Sequence, residues 1–172
     1  DLPAGAVVGS ASLRRQAQVL FHRPDLKVAL LRGNVETRLR KIEEGAFDAT
    51  FLALAGLKRL GLAAHVSSVV ALEDMPPAPG QGALAITARS DDAATGEALA
   101  KLNDHAVERA LAAERGFLAE LDGSCRSAIG AYAQIVGGQL RLVGEVLSPD
   151  GAVRFRHEAA DPVGDAAAAA EC

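Results

Sequence analysis

Residues 76–82 read Pro-Pro-Ala-Pro-Gly-Gln-Gly, three prolines and two glycines in seven positions. Proline has no N–H to give to a helix interior or a central strand, so no regular element runs through this segment. It divides the chain of 172 residues into parts that differ in pattern and in charge. Residues 1–60 carry ten Lys and Arg against six Asp and Glu, a net of +4; residues 61–172 carry eight against sixteen, a net of −8. Fourteen of the eighteen cations are arginine, whose planar fork suits carboxylate and phosphate.

With 49% hydrophobic and 23% charged residues, the composition is that of a folded globule and not of a disordered tail. No run of about 18 apolar residues exists and no basic-then-apolar leader opens the sequence, so a soluble protein without membrane attachment is expected. The two cysteines, 47 positions apart, match neither a metal spacing nor a disulfide framework, which points to a reducing cytoplasm. The only methionine is Met75 and the first apolar run begins at Ala6, so the chain reads as a fragment.

Upstream of the break, short apolar runs alternate with amphipathic stretches. Val7-Val8-Gly9 is expected as a strand, then Ser12 to Phe21 as a helix with Leu13, Ala17, Leu20 and Phe21 inward. Val28 to Leu31 follows as a strand, and Asn34 to Glu44 as a helix with Val35, Leu39 and Ile42 inward, stopped by Gly45. Ala49 to Leu54 is apolar on both faces, as in a buried parallel strand, and a short helix from Gly56 to Gly61 comes next. This order implies an α/β fold with a doubly wound parallel sheet.

Downstream, the pattern predicts a strand at Ala83 to Ala88, a helix within Asp91 to Leu102, and a long helix from Asp104 to Leu121 closed by Asp122-Gly123. The long helix would turn Val107, Leu111, Phe117, Leu118 and Leu121 inward. Antiparallel strands are expected at Ile129 to Val136, Leu140 to Leu147 and Val153 to His157, joined by turns at Gly137-Gly138 and Ser148-Pro149-Asp150-Gly151. Asp161-Pro162 carries the signal of a last helix, with Asp as cap and Pro at the first position.

Arg14 and Arg15 follow Gly9-Ser10-Ala11-Ser12 at a strand-to-helix turn, where a cation is disfavoured by the helix dipole unless an anion sits nearby. The next such turn repeats the pattern with Arg32-Gly33-Asn34 and, one helical turn on, Arg38. In an open parallel sheet both turns lie at the carboxyl ends of strands, where ligands bind. Nucleic acid is a poor fit, because only 3% of residues are aromatic and the net charge is negative. The glycine-rich loops that cradle phosphate are absent from these turns. A polycarboxylate fits best. Cys125, in Gly123-Ser124-Cys125, reads from its own context as an inert thiol or as a reactive one favoured by Arg126.

Several stretches, in this order, resemble the porphobilinogen deaminase (hydroxymethylbilane synthase) family: Val8 to Arg15, Leu31 to Leu39, Leu54 to Leu60, Pro77 to Ala83, Ala113 to Leu118 and Gly123 to Cys125. The resemblance implies a transferase that joins four porphobilinogen units into a linear tetrapyrrole with release of ammonia. It implies a dipyrromethane cofactor held through a thioether by Cys125. It places Ser10, Ser12, Arg14, Arg15, Arg32, Gly33, Asn34 and Arg38 around cofactor carboxylates, with Arg38 and Arg59 also near substrate. Ala11 departs from the hydroxyl residue usual in the family.

On the same resemblance, residues 1–76 form part of a second, periplasmic-binding-protein-like domain, and 77–100 a crossover returning to a first domain. Residues 101–172 form the C-terminal α+β domain with the cofactor cysteine. The family's acid/base carboxylate would lie upstream of residue 1, so the fragment alone is expected to be inactive. A cytoplasmic monomer with no nucleic-acid or membrane partner is expected. The competing reading is a non-catalytic anion-binding module of the solute-binding-protein type.

Overall fold

The structure, a computed structural model, describes residues 2–123 and 127–163. The chain divides into two compact units. The first comprises residues 1–75, 125–129 and 146–155, and the second comprises 76–124, 130–145 and 156–172.

Three short strands form the parallel sheet of the first unit: β1 (Val7–Gly9), β2 (Lys27–Ala29) and β3 (Ala49–Thr50), in the order β2-β1-β3. Val8 sits opposite Val28 on one side and Ala49 on the other. Helix α1 (Leu13–His22) joins β1 to β2, and α2 (Val35–Glu43) joins β2 to β3. With right-handed crossovers this order sends the two helices to opposite faces of the sheet. The chain therefore reverses direction between β1 and β3, and the carboxyl ends of those strands border the crevice where such sheets take ligands.

Local chemistry explains the helix ends. The Ser12 side chain caps α1 by accepting from the Arg15 N–H, and Asn34 caps α2 by accepting from the Thr37 N–H at 2.8 Å. At the far end of α2, Gly45 adopts φ +72°, and the N–H groups of Gly45 and Ala46 reach back to the carbonyls of Ile42 and Lys41. That pair of bonds is the Schellman stop that glycine permits. Helix α3 (Leu54–Arg59) begins two residues earlier than the pattern suggested.

The core of the first unit is Ala6, Val8, Val19 and Leu26, with Leu2, Val28, Phe51 and Met75 packed against it. Helix α1 faces inward differently from the expectation. Leu13 is 41% exposed and Phe21 38%, whereas Arg14 is 7% and Gln18 1% exposed. Within this buried polar pair Arg14 donates to the Gln18 side chain at 2.9 Å, four residues along the same face. Val35, Leu39 and Ile42 of α2 are only half-buried. The third strand is also much shorter than the apolar run 49–54, because β1 ends at Gly9 and offers no further partner.

The second sheet is antiparallel, with strands β4 (Ile129–Val136), β5 (Gln139–Leu147) and β6 (Arg154–Pro162) in that order. Gly137 and Gly138 both have positive φ, as the tight turn between β4 and β5 requires. Helices α4 (Ala93–Ala100) and α5 (His105–Glu120) start at Asp92 and Asp104, whose carboxylates accept backbone N–H groups. The Thr95 N–H and hydroxyl hold the Asp92 carboxyl below its usual range. Phe117 of α5 packs over β5, and a side chain at Gly144 would come within 2.5 Å of its ring. Val107 and Leu121 of α5 stay exposed, so its inner face is narrower than expected.

Two downstream expectations fail. Residues 83–88 form no strand, and Leu84 and Ile86 are 86% and 64% exposed. A strand needs a partner edge, and none pairs with this run among the described residues. Asp161 and Pro162 end β6 and start no helix: the Val163 N–H bonds to the Gly138 carbonyl at 2.9 Å, so sheet pairing overrides the local capping signal. The alanine run 166–170 lies outside the described residues.

Candidate functional site

A cavity of about 220 Å³ opens in the first unit at the carboxyl ends of β1 and β3, lined by Gly9, Ser10, Ala11, Ser12, Arg15, Arg38 and Phe51. The first four form the turn from β1 into α1. Phe51 directly follows β3, and Arg38 stands one turn into α2. The reversal of chain direction between β1 and β3 thus brings three separate stretches to one cleft.

Within the turn, the Ser10 oxygen accepts from the Ser12 N–H at 3.1 Å. The Ser12 oxygen is occupied by the Arg15 N–H at 3.3 Å, leaving its hydroxyl proton as a donor. Arg15 donates through Nη1 to the Phe51 carbonyl at 2.9 Å, and Arg38 through Nε to the Gly33 carbonyl at 2.8 Å. Each guanidinium is fixed by one bond to backbone and keeps several N–H groups for another partner. Burial, and secondarily the nearby charge of Arg38, lower the pKa of Arg15. No carboxylate lines the cavity, and among the described residues none pairs with either arginine. Two like charges held together on a half-buried surface are relieved by an anion and by little else.

The structure brings together Ser10, Ser12, Arg15 and Arg38 from the residues selected in the sequence. Arg14 is buried and bonded to Gln18, away from the cavity lining. Arg32, Gly33 and Asn34 are exposed at the neighbouring turn, where Gly33 takes φ +131° and Asn34 serves as helix cap. Gly33 and Asn34 act on the cleft indirectly, by anchoring Arg38 and setting the start of α2. Arg59 is exposed at the end of α3 and does not line the cavity. Cys125 lies outside the described residues. The contribution of Phe51, whose carbonyl orients Arg15, was missed in the sequence, although its place just after an apolar strand is the available signal. Among the described residues no group of His, Cys, Asp and Glu could hold a metal ion, and no helix is long and apolar enough to cross a membrane.

Residues 1–97 match the family model described as "Porphobilinogen deaminase, dipyromethane cofactor binding domain", and residues 108–172 match "Porphobilinogen deaminase, C-terminal domain". A porphobilinogen deaminase of Nitrobacter hamburgensis is 51% identical over 168 residues, covering 98% of this chain and 53% of the relative. One from Phenylobacterium zucineum is 55% identical, covering 91% and 49%, and one from Paracoccus denitrificans is 49% identical, covering 98% and 54%. The chain spans about half the length of the curated relatives it matches. Identity at this level across nearly all of its residues, together with two successive domain models in the family's own order, makes the chain a member of the porphobilinogen deaminase family.

Proposed function

We propose that this chain is part of a transferase that condenses four porphobilinogen molecules head to tail into hydroxymethylbilane, releasing ammonia, in tetrapyrrole biosynthesis. The observation that carries the reading is the convergence of Arg15 and Arg38 on one cleft with no carboxylate beside them. Each pyrrole of such a substrate bears two carboxylates, so negative charge accumulates as the chain grows. Guanidinium forks neutralise that charge without losing their protons.

The cofactor in this reading is a dipyrromethane attached through a thioether to Cys125. When bound, it supplies the primer to which pyrrole units are added. The cleft suits a polycarboxylate of this kind, since it is cationic and its two guanidinium groups and the Ser12 hydroxyl keep donors for a ligand. Arg15 and Arg38 grip carboxylates, Ser10 and Ser12 orient them, and Arg32 and Arg59 extend the cationic surface. Arg14, which the family resemblance also puts near cofactor carboxylates, is buried and bonded to Gln18 within α1. Residues 1–76 are read as part of a doubly wound, periplasmic-binding-protein-like domain, 77–100 as a crossover, and 101–172 as the domain carrying the cofactor cysteine. Action as a cytoplasmic monomer rests on the family resemblance alone.

Proton transfer at each loss of ammonia calls for a carboxylate. None among the described residues lines this cleft, and on this reading the 172 residues by themselves are expected not to turn over porphobilinogen. Uroporphyrin formed by the purified chain would overturn that. In the full-length protein, Cys125→Ser is expected to abolish the added cofactor mass and the Ehrlich colour of the purified enzyme. An unchanged intact mass would remove Cys125 from the reading.

A further inference from the structure

The segment 76–80 has a shortage of hydrogen-bond donors that its sequence makes unavoidable. Three of its five residues are proline, leaving only the N–H groups of Ala78 and Gly80. The Ala78 N–H reaches the Gln81 side chain at 3.3 Å. The Gly80 N–H is taken at 2.6 Å by Oε2 of Glu114, a residue 8% exposed in the middle of α5.

The other oxygen of the same carboxylate is committed to the sheet. Oε1 of Glu114 accepts the N–H of Ala133 at 2.9 Å, on β4, which is an edge strand. Two residues back on β4, the Ala131 N–H bonds to the Pro77 carbonyl at 2.9 Å. Residues 131 and 133 alternate in register, so both amides face the same side of the strand. Gly130 allows the close approach: a Cβ there would lie 2.8 Å from the Pro76 carbonyl oxygen and 3.1 Å from the Pro76 side chain. A strand edge with free amides is a template for unwanted pairing, and the proline-rich segment covers this one without being able to complete a ladder.

We propose that the Glu114 carboxylate is a clamp that fastens the proline-rich segment to the β4 edge, one oxygen on each. It replaces the ladder bonds that proline cannot make and closes the edge in the same contact. Glutamine in its place keeps one acceptor and presents an NH₂ to the second donor, so one of the two bonds must be lost.

Amide exchange resolved by residue on the full chain tests the clamp. In Glu114→Gln, exchange at Gly80 or Ala133 is expected to accelerate by about 10-fold or more, the scale of one lost bond to a charged acceptor, with α1 amides unchanged. Unaltered protection at both positions would overturn the proposal. Should the glutamine variant fail to fold, Gly130→Ala decides: it displaces Pro76 without touching the carboxylate. The added methyl also meets Glu145 Cγ of β5 at 3.2 Å, so α1 and not β5 is the control: faster exchange at Ala78 and Gly80 with α1 unchanged supports the clamp, and unchanged exchange there refutes it.

Discussion

Replacing Arg15 with leucine is expected to weaken binding of a carboxylate-bearing dipyrromethane by about 10- to 100-fold, the range for one charge-assisted contact in a partly buried site. Stability should change little. The lowered pKa of Arg15 means that the fold disfavours its charged form, through burial first and Arg38 second. Removing the charge relieves that penalty and offsets the lost bond to the Phe51 carbonyl. Arg15→Lys should fall between, because an ammonium keeps the charge but cannot hold the Phe51 carbonyl and a carboxylate in a planar fork. Arg14→Leu provides the contrast, since it removes a buried hydrogen bond to the Gln18 side chain and should register first as a lower melting temperature. Calorimetric titration of the full-length protein, paired with thermal unfolding, separates the two arginines. Binding within a factor of about two of wild type for Arg15→Leu would end the carboxylate reading of the cleft.

A loss of about 2–5 kcal/mol in folding stability is expected for Leu31→Ala, since Leu31 is completely buried and its removal leaves a cavity beside the cleft. Against a typical total of about 5–15 kcal/mol, that is enough to unfold much of the first unit at moderate denaturant. Gly9 is the counterpart. A Cβ on Gly9 would lie 2.5 Å from Leu31 Cδ2, 2.9 Å from Leu31 Cβ and 3.0 Å from Phe47 Cδ1. Gly9→Ala should therefore cost about 1–3 kcal/mol by overpacking, and it should also disturb the turn that carries Ser10 and Ser12. In the double variant the losses should be less than additive, because truncating Leu31 removes the nearest obstructing atom. Relief stays partial, since the contact with Leu31 Cβ persists. Urea unfolding of the four proteins in a double-mutant cycle measures the coupling, and strictly additive losses would refute this account of Gly9.

Elements whose signals are local were readable in the sequence. The hairpin at Gly137-Gly138 needs two residues with positive φ, and only a pair such as this supplies them without strain. Ser12, Asn34, Asp92 and Asp104 sit where their side chains can take the first free amides of a helix, and each does so. Signals that depend on a distant partner misled. The run 83–88 alternates like a strand but finds no edge to pair with among the described residues, and Asp161-Pro162 has a cap's chemistry but is drawn along β5. The inner face of α1 could not be read from hydrophobicity, because Arg14 and Gln18 are buried on it and hydrogen-bonded to each other.

The candidate site divides in the same way. By residue type and spacing alone, the sequence determined that arginines and small hydroxyl residues gather at two strand-to-helix turns, the basis for proposing an anion as their partner. Its ordered motifs determined the family. Only the tertiary structure decided which arginines meet: Arg15 and Arg38 share one cleft, Arg14 turns into the interior, and Arg59 stays outside. The reason is the strand order β2-β1-β3, which places the end of β3 beside the end of β1 and brings the Phe51 carbonyl to Arg15 across 36 positions of sequence. No local pattern encodes a contact that exists only once the sheet has formed.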